Sequence, residues 1–262
     1  METCSKALIC PVCEKTLQKK IKNYVCVNGH SFDISKQGYT NVWQHKSLCT
    51  GDNRDMVEAR SHFLEKGFYQ PLLDALLHQN KKGAICVDTG CGEGYYTRAI
   101  AQQDNCFLYA FDVSKTALKH AAKNDKNAAY FLSSIFKLPI KTRSVDIVFN
   151  IFAPFAGTEF GRVLKTNGIV VKVDPAPLHL FEMKKILYEH PYKNEISTPA
   201  GWQCISSQTI AFDMVLKQED IQNLITMTPY FFKTKKDKIE ALCSLDHLKV
   251  QAGFYLQLLQ RV

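Results

Sequence analysis

Long hydrophobic runs are what this chain most clearly lacks. No apolar stretch approaches the ~20 residues needed to cross a bilayer as a helix, so no membrane association is expected. The opening residues, METCSKALICP, have no extended apolar core of the secretory kind, so export is not expected either. Internal repeats and low-complexity tracts are absent, so no repeat architecture is expected. A disulfide framework is also missing. The ten cysteines (4, 10, 13, 26, 49, 86, 91, 106, 204, 243) are spread thinly, and several lie in apolar runs such as AICVDTGC. That usage fits a reducing, cytoplasmic compartment.

What is present begins with size. The chain's 262 residues suffice for one full α/β domain and a small appendage, and 46% hydrophobic with 22% charged residues is ordinary for a folded protein. The net charge of +8 is unevenly placed: residues 1–49 hold seven Lys against three Asp or Glu, so half of the excess falls on the first 49 residues. A small basic module ahead of a near-neutral body points to a polyanionic partner, with a solvated lysine face as the plain alternative.

Within that module Cys10, Cys13, Cys26 and His30 follow the pattern C-x2-C-x12-C-x3-H. Each close pair forms a knuckle aiming two ligands at one point, and the intervening residues suffice for a hairpin that joins the pairs. Four protein ligands of this softness make a closed tetrahedral zinc site, structural because no position is left for a catalytic water. A redox C-x-x-C would need a thioredoxin-like βαβ surround, which Cys10 does not have. Cys4 and Cys49 are spare ligands able to replace one member, and His30 is the position they would replace. So short a fold needs such a staple.

Three regions are expected: a zinc-binding module over 1–44, a linker with two amphipathic helices over 45–82, and an α/β domain over 83–262. From Ala84 onward strands (AICVDTG, CFLYAFD, AAYFLSS, SVDIVFNIF, GIVVKVD) alternate with helices, one of them capped by Ser114, which predicts a mostly parallel sheet. A further helix is expected over PLHLFEMKKILYEH. Between the first strand and its helix lies Gly90-x-Gly92-x-Gly94, a turn that lets a ligand approach backbone amides. The dinucleotide fingerprint would need a glycine where Tyr95 stands.

This G-x-G-x-G spacing, with Asp88 two residues before it, resembles the class I S-adenosylmethionine-dependent methyltransferases, with their Rossmann-like fold. Asp112, closing the second strand, stands where that family has a ribose-binding acid. Ser134 stands where many relatives have an Asp at the adenine edge; the backbone amides of Ser134 and Ile135 can serve there. Taken with CPVC, CVNGHSFD, GYTNV, FYQPL, FDVSK, FNIFAP and PLHLFEMK, the whole chain resembles the RlmA family of bacterial 23S rRNA (guanine-N1)-methyltransferases. The resemblance implies zinc on Cys10, Cys13, Cys26 and His30. It also implies S-adenosylmethionine bound by Tyr69, Glu93, Gly94, Asp112 and His179, the helix 35 hairpin as target, and a homodimer whose modules flank an RNA cleft.

Reaction at guanine N1 needs alignment, exclusion of water and removal of the N1 proton. Fold analogy puts Asn150 and Phe152, at the end of the fourth strand, beside the methyl group. The [Asn/Asp]-Pro-Pro-aromatic motif of amino-methylating enzymes is not present there, and Phe152 is a candidate to stack on a base. Asp174, ending GIVVKVD, is a candidate base from position alone. Two other functions remain: a methyltransferase for a small molecule or protein with a zinc scaffold, and a non-catalytic RNA-binding protein with a relict pocket.

Overall fold

The computed structural model describes residues 7–43, 51–103 and 106–262; Cys4 and Cys49 lie outside the described residues. The chain opens with an antiparallel ribbon of β1 (Leu17–Lys19), β2 (Asn23–Cys26) and β3 (Ser31–Asp33). Strand alternation turns Leu17, Tyr24 and Cys26 inward and leaves Val27 in solvent. A two-residue strand, β4 (Thr40–Asn41), follows.

Two helices come next. In α1 (Arg54–Glu65) the Asn53 side chain caps the first turn by accepting from the Met56 amide at 2.9 Å. In α2 (Gln70–Leu77) a proline sits in the first turn, where its missing N–H costs nothing. Both helices expected within 45–82 are therefore present and pack on the main core. Phe63, Leu72 and Leu76 are fully buried in the main core, and each such side chain contributes roughly 1.5–3 kcal/mol.

The expected alternation then appears as β5 (Ile85–Thr89), α3 (Tyr95–Ala101), β6 (Phe107–Asp112), α4 (Lys115–Asn124), β7 (Ala129–Leu132), β8 (Val145–Ile151), α5 (Gly157–Val163) and β9 (Leu164–Pro175). Ser114 caps α4 as expected, its Oγ accepting from the Ala117 amide at 3.1 Å. The helix expected over 177–190 is shorter. Leu180 takes a left-handed conformation (φ 53°), so α6 spans only Phe181–Leu187 and His179 sits in the turn before it. The remainder forms β10 (Trp202–Lys217), α7 (Gln218–Thr226), α8 (Tyr230–Lys233), α9 (Lys236–Cys243) and β11 (His247–Arg261).

One eight-stranded sheet runs β10-β11-β9-β8-β5-β6-β7-β4, and β11 is antiparallel to both of its neighbours. The pairs from β9 through β4 are parallel. The outermost strand, β4, belongs to the amino-terminal module and pairs Thr40 with Phe131. The module is further held by a bridge between Leu8 and Ile140 and by Tyr24 against Phe131, with ring centroids 5.3 Å apart. Leu8, Cys10, Leu17, Tyr24 and Cys26 share one buried cluster with Val87, Phe111, Phe131 and Ile140. A hydrophobic seam therefore continues from the ribbon into the sheet.

Candidate functional site

The ribbon folds the two knuckles together. In the first, the Glu14 amide donates to Cys10 O at 2.8 Å; in the second, Gly29, with φ 80°, donates to Cys26 O at 3.0 Å. The ligand atoms of Cys10, Cys13, Cys26 and His30 all lie within 4.8 Å of one another. Cys13 Sγ is 3.7 Å from Cys26 Sγ, and His30 Nδ1 is 3.4 Å from Cys26 Sγ and 3.6 Å from Cys10 Sγ. A tetrahedron with zinc–sulfur bonds of about 2.3 Å has sulfur–sulfur edges of about 3.8 Å, so these spacings fit zinc without rearrangement. His30 completes the set through Nδ1.

The glycine turn lies at the carboxyl end of β5. The Gly90 and Cys91 amides donate to Phe111 O at 2.8 and 3.1 Å, tying the turn to β6. Gly90 has φ 77°, and a Cβ there would lie 2.7 Å from that of Ala153, so only glycine fits. Beneath the turn Asp88 is buried and accepts from Thr97 Oγ1 at 2.5 Å. Burial pushes its carboxyl up to about 7 against that hydrogen bond, and the neighbouring Asp112 and Glu93 push in the same direction. Asp88 therefore braces the turn from behind.

Asp112 closes β6 and accepts from the Gly92 amide at 2.8 Å and the Ser114 amide at 2.7 Å. An ionised carboxylate has about four acceptor sites, so two remain for a pair of ribose hydroxyls. Glu93 is buried, and Arg60 Nη1 stands 3.6 Å from its carboxylate. Arg60 also pairs with Asp52 and donates to Met227 O at 3.1 Å. The sequence reading did not include Arg60. Its signal was an arginine on the face of α1 that carries Val57 and Leu64, one turn from each. Tyr96 was missed as well. Its hydroxyl is buried with no hydrogen-bond partner and lies within electrostatic reach of Tyr69, Glu93 and Arg60.

Tyr69 is buried at the start of α2, its ring edge-on to Phe63 at 5.3 Å and to Phe254 at 4.7 Å. His179 lies 6.3 Å from Tyr69 and 5.0 Å from Phe254, ring centroid to centroid. The Gly253 amide donates to His179 Nδ1 at 3.2 Å, so the neutral ring carries its proton on Nε2. Burial lowers the imidazole to about 4, the hydrogen bond works against that, and Lys184 adds to it. The histidine is a buried neighbour of Tyr69 and not a surface residue.

At the end of β8, Asn150 is buried, and its amide donates to Thr89 Oγ1 and Pro154 O, both at 3.1 Å. It braces the turn at 151–154. Phe152, just past the end of β8, has φ 54°, is 44% exposed and reaches back to Phe254 at 5.6 Å, so its ring is partly open to solvent. Ser134 follows β7, and its Oγ accepts from the Phe136 amide at 3.2 Å, making a turn beyond the carboxyl ends of the strands.

These groups meet the demands of S-adenosylmethionine. Among the described residues, Asp52, Glu93 and Asp112 outnumber the cation Arg60 in their network, which suits a ligand with ammonium and sulfonium charges. Arg60 can take the ligand's carboxylate, and the orphaned Tyr96 hydroxyl has a polar group to meet.

Comparison with known proteins agrees with this geometry. Residues 8–47 match the RlmA N-terminal zinc-ribbon family, and residues 86–172 match a methyltransferase domain family. A Bacillus subtilis (strain 168) protein, YxjB, provisionally named a 23S rRNA (guanine-N1)-methyltransferase, is 30% identical and aligned over 89% of each chain. A Micromonospora griseorubida protein with the same provisional name is 32% identical over 89% of this chain and 90% of its own. The 23S rRNA (guanine(748)-N(1))-methyltransferase of Streptomyces fradiae is 30% identical over 67% of this chain and 66% of its own. With its zinc ribbon, its glycine turn and relatives of this kind along most of its length, the chain belongs to the RlmA family of 23S rRNA (guanine-N1)-methyltransferases.

Proposed function

We propose that this protein methylates N1 of a guanine in 23S rRNA, within the helix 35 hairpin, with S-adenosylmethionine as donor. The observation that carries the reading is the docking of a basic zinc ribbon onto the sheet that bears the glycine turn and Asp112. Lys15, Lys19, Lys20 and Lys22 are all exposed, and Ile21 between the last two is 95% exposed. Phosphate contacts from such a row position RNA without reading its sequence.

Bound S-adenosylmethionine supplies a methyl group already activated by its sulfonium. Within the chain, Asp112 takes the ribose hydroxyls, Arg60 and Tyr96 the amino-acid end, and Tyr69 with His179 closes the apolar side against water. Phe152, at the rim, is placed to stack on a base drawn out of its helix. The same reading carries a homodimer with paired ribbons flanking the RNA, in the cytoplasm; among the described residues no helix is long and apolar enough to cross a membrane.

The test is incubation with labelled S-adenosylmethionine and unmodified 23S rRNA, followed by nucleoside analysis. Labelled 1-methylguanosine is expected. Label confined to small molecules or protein would refute the reading and favour the zinc-scaffold alternative.

A further inference from the structure

We infer that Asp174 accepts the N1 proton of the target guanine and that Lys172 is the positioning residue that holds its carboxylate; this rests on the guanine-N1 reading above. Neutral guanine carries a proton on N1, and attack on a methyl group requires that proton to leave. Neither Asn150 nor Phe152 can take it, since an amide with both donors engaged and a phenyl ring are not bases.

Asp174 stands near the carboxyl end of β9, beside β8, the strand that Phe152 directly follows. The Phe152 amide donates to Val173 O at 3.1 Å, so the aspartate is the next residue after the one tied to the candidate stacking ring. Lys172 and Asp174, two apart on one strand, share a face and form an ion pair. The pair is asymmetric: the lysine side chain is 10% exposed and the aspartate 28%, so the cation is the more deeply buried member and the anion meets solvent.

The space before that anion is a groove of about 510 Å³ lined by Asp174, Pro175, Tyr192, Lys193, Asn194 and Glu195. Its far wall is built rather than loose. The Asn194 amide donates to Pro177 O at 3.1 Å and its side chain to Ala176 O at 2.8 Å. Lys184 of α6, fully buried, donates to Asn194 Oδ1 at 2.8 Å and Tyr192 O at 3.2 Å, and its ammonium sits 4.3 Å from the centre of the Tyr192 ring. A buried cation satisfied by carbonyl oxygens and an aromatic face holds the wall at considerable cost, as expected of a wall with a task.

The chemistry matches one base. Guanine presents N1–H and an exocyclic N–H side by side, and a carboxylate accepts both together. Adenine has an unprotonated N1, which a carboxylate repels. In the transfer the N1–H bond breaks and the proton passes to Asp174. The N1–methyl bond forms as the methyl–sulfur bond breaks, with that electron pair leaving on sulfur, and the carboxyl group then releases its proton to water.

The experiment compares the full-length wild type with Asp174→Asn, Asp174→Glu, Lys172→Met and Glu195→Gln on a 23S rRNA hairpin transcript. Absence of 1-methylguanosine from the wild type refutes the functional reading itself. With the wild type active, Asp174→Asn is expected to lower kcat by about 10²–10⁴-fold. Its affinity for S-adenosylmethionine by calorimetry, and for RNA by filter binding, is expected to stay within about threefold. Its remaining rate should climb tenfold per pH unit, because guanine N1 must then ionise unaided, whereas the wild type levels off at lower pH. Asp174→Glu keeps a carboxylate and should recover part of the rate, and Lys172→Met should lower kcat less than Asp174→Asn. Retention of kcat within tenfold by Asp174→Asn, an unchanged pH profile, a loss confined to KM, or transfer of the whole loss to Glu195→Gln would each overturn the inference.

Discussion

His179 shows how burial converts one side chain into a pH-dependent element of the fold. Its folded-state value of about 4 lies below the ordinary 6.5, so the native state binds fewer protons than the unfolded chain as pH falls. Its contribution is therefore complete above 6.5 and is lost on descending through 4, reaching on the order of 3 kcal/mol. Denaturant unfolding of wild type and His179→Gln at pH 7 and pH 5 should show the wild type losing more stability between the two; equal losses would contradict the assignment. Gly94 tests the cofactor turn. With φ 85° and a built Cβ 2.8 Å from that of Ala121, Gly94→Ala should cost about 1–3 kcal/mol and weaken S-adenosylmethionine binding at least tenfold by calorimetry. Single residues were unevenly legible. Asp88, Gly90 and Asp112 could be read because backbone and ribose chemistry permit few substitutes. Arg60 and Tyr96 could not, since an arginine on a helix and an aromatic after a glycine have many commoner explanations.

Among the elements, the zinc ribbon and β4 carry the most consequence. The ribbon strands are three or four residues long, too short to persist without the metal, and β4 is the two-residue extension that joins the ribbon's end to β7. Removing zinc with a chelator, or substituting Cys26→Ser, should release β4 and open the seam over Phe131 and Ile140. Amide exchange over 129–132 should then accelerate by about 100-fold or more, while β5 and β8 in the sheet centre keep their protection. Equal acceleration throughout would mean that the ribbon holds the whole domain together. The strands from Ala84 to Asp174 were foreseeable because each is a short apolar run bounded by turn residues. The helix over 177–190 was overextended. A periodic apolar pattern does not reveal that Leu180 turns left-handed, a conformation imposed here by tertiary packing on α6 and β11.

For the molecule as a whole, the question is how a basic ribbon and a catalytic cleft act on one RNA. If Lys15, Lys19, Lys20 and Lys22 each meet a phosphate, replacing all four with Ala should flatten the slope of log affinity against log salt by about 3. S-adenosylmethionine affinity should not change, because these exposed side chains lie on the ribbon and not on the elements that carry Asp112, Arg60 and Tyr96. An unchanged salt slope would place the RNA elsewhere. The local patterns were legible in the sequence alone: four zinc donors at knuckle spacing, a glycine turn lacking the third glycine of the dinucleotide fingerprint, and an acid closing the second strand are fixed by bond lengths and backbone conformations within a few residues. What the tertiary structure decided is everything that depends on chain segments far apart. It docked the ribbon on the sheet edge and buried the inner faces of α1 and α2 in the main core. It brought Arg60 over Glu93, and it set Asp174 at a groove walled by residues from 192 to 195. Such meetings are made by the burial of apolar surface, which is non-directional, so no short stretch of sequence records where they occur.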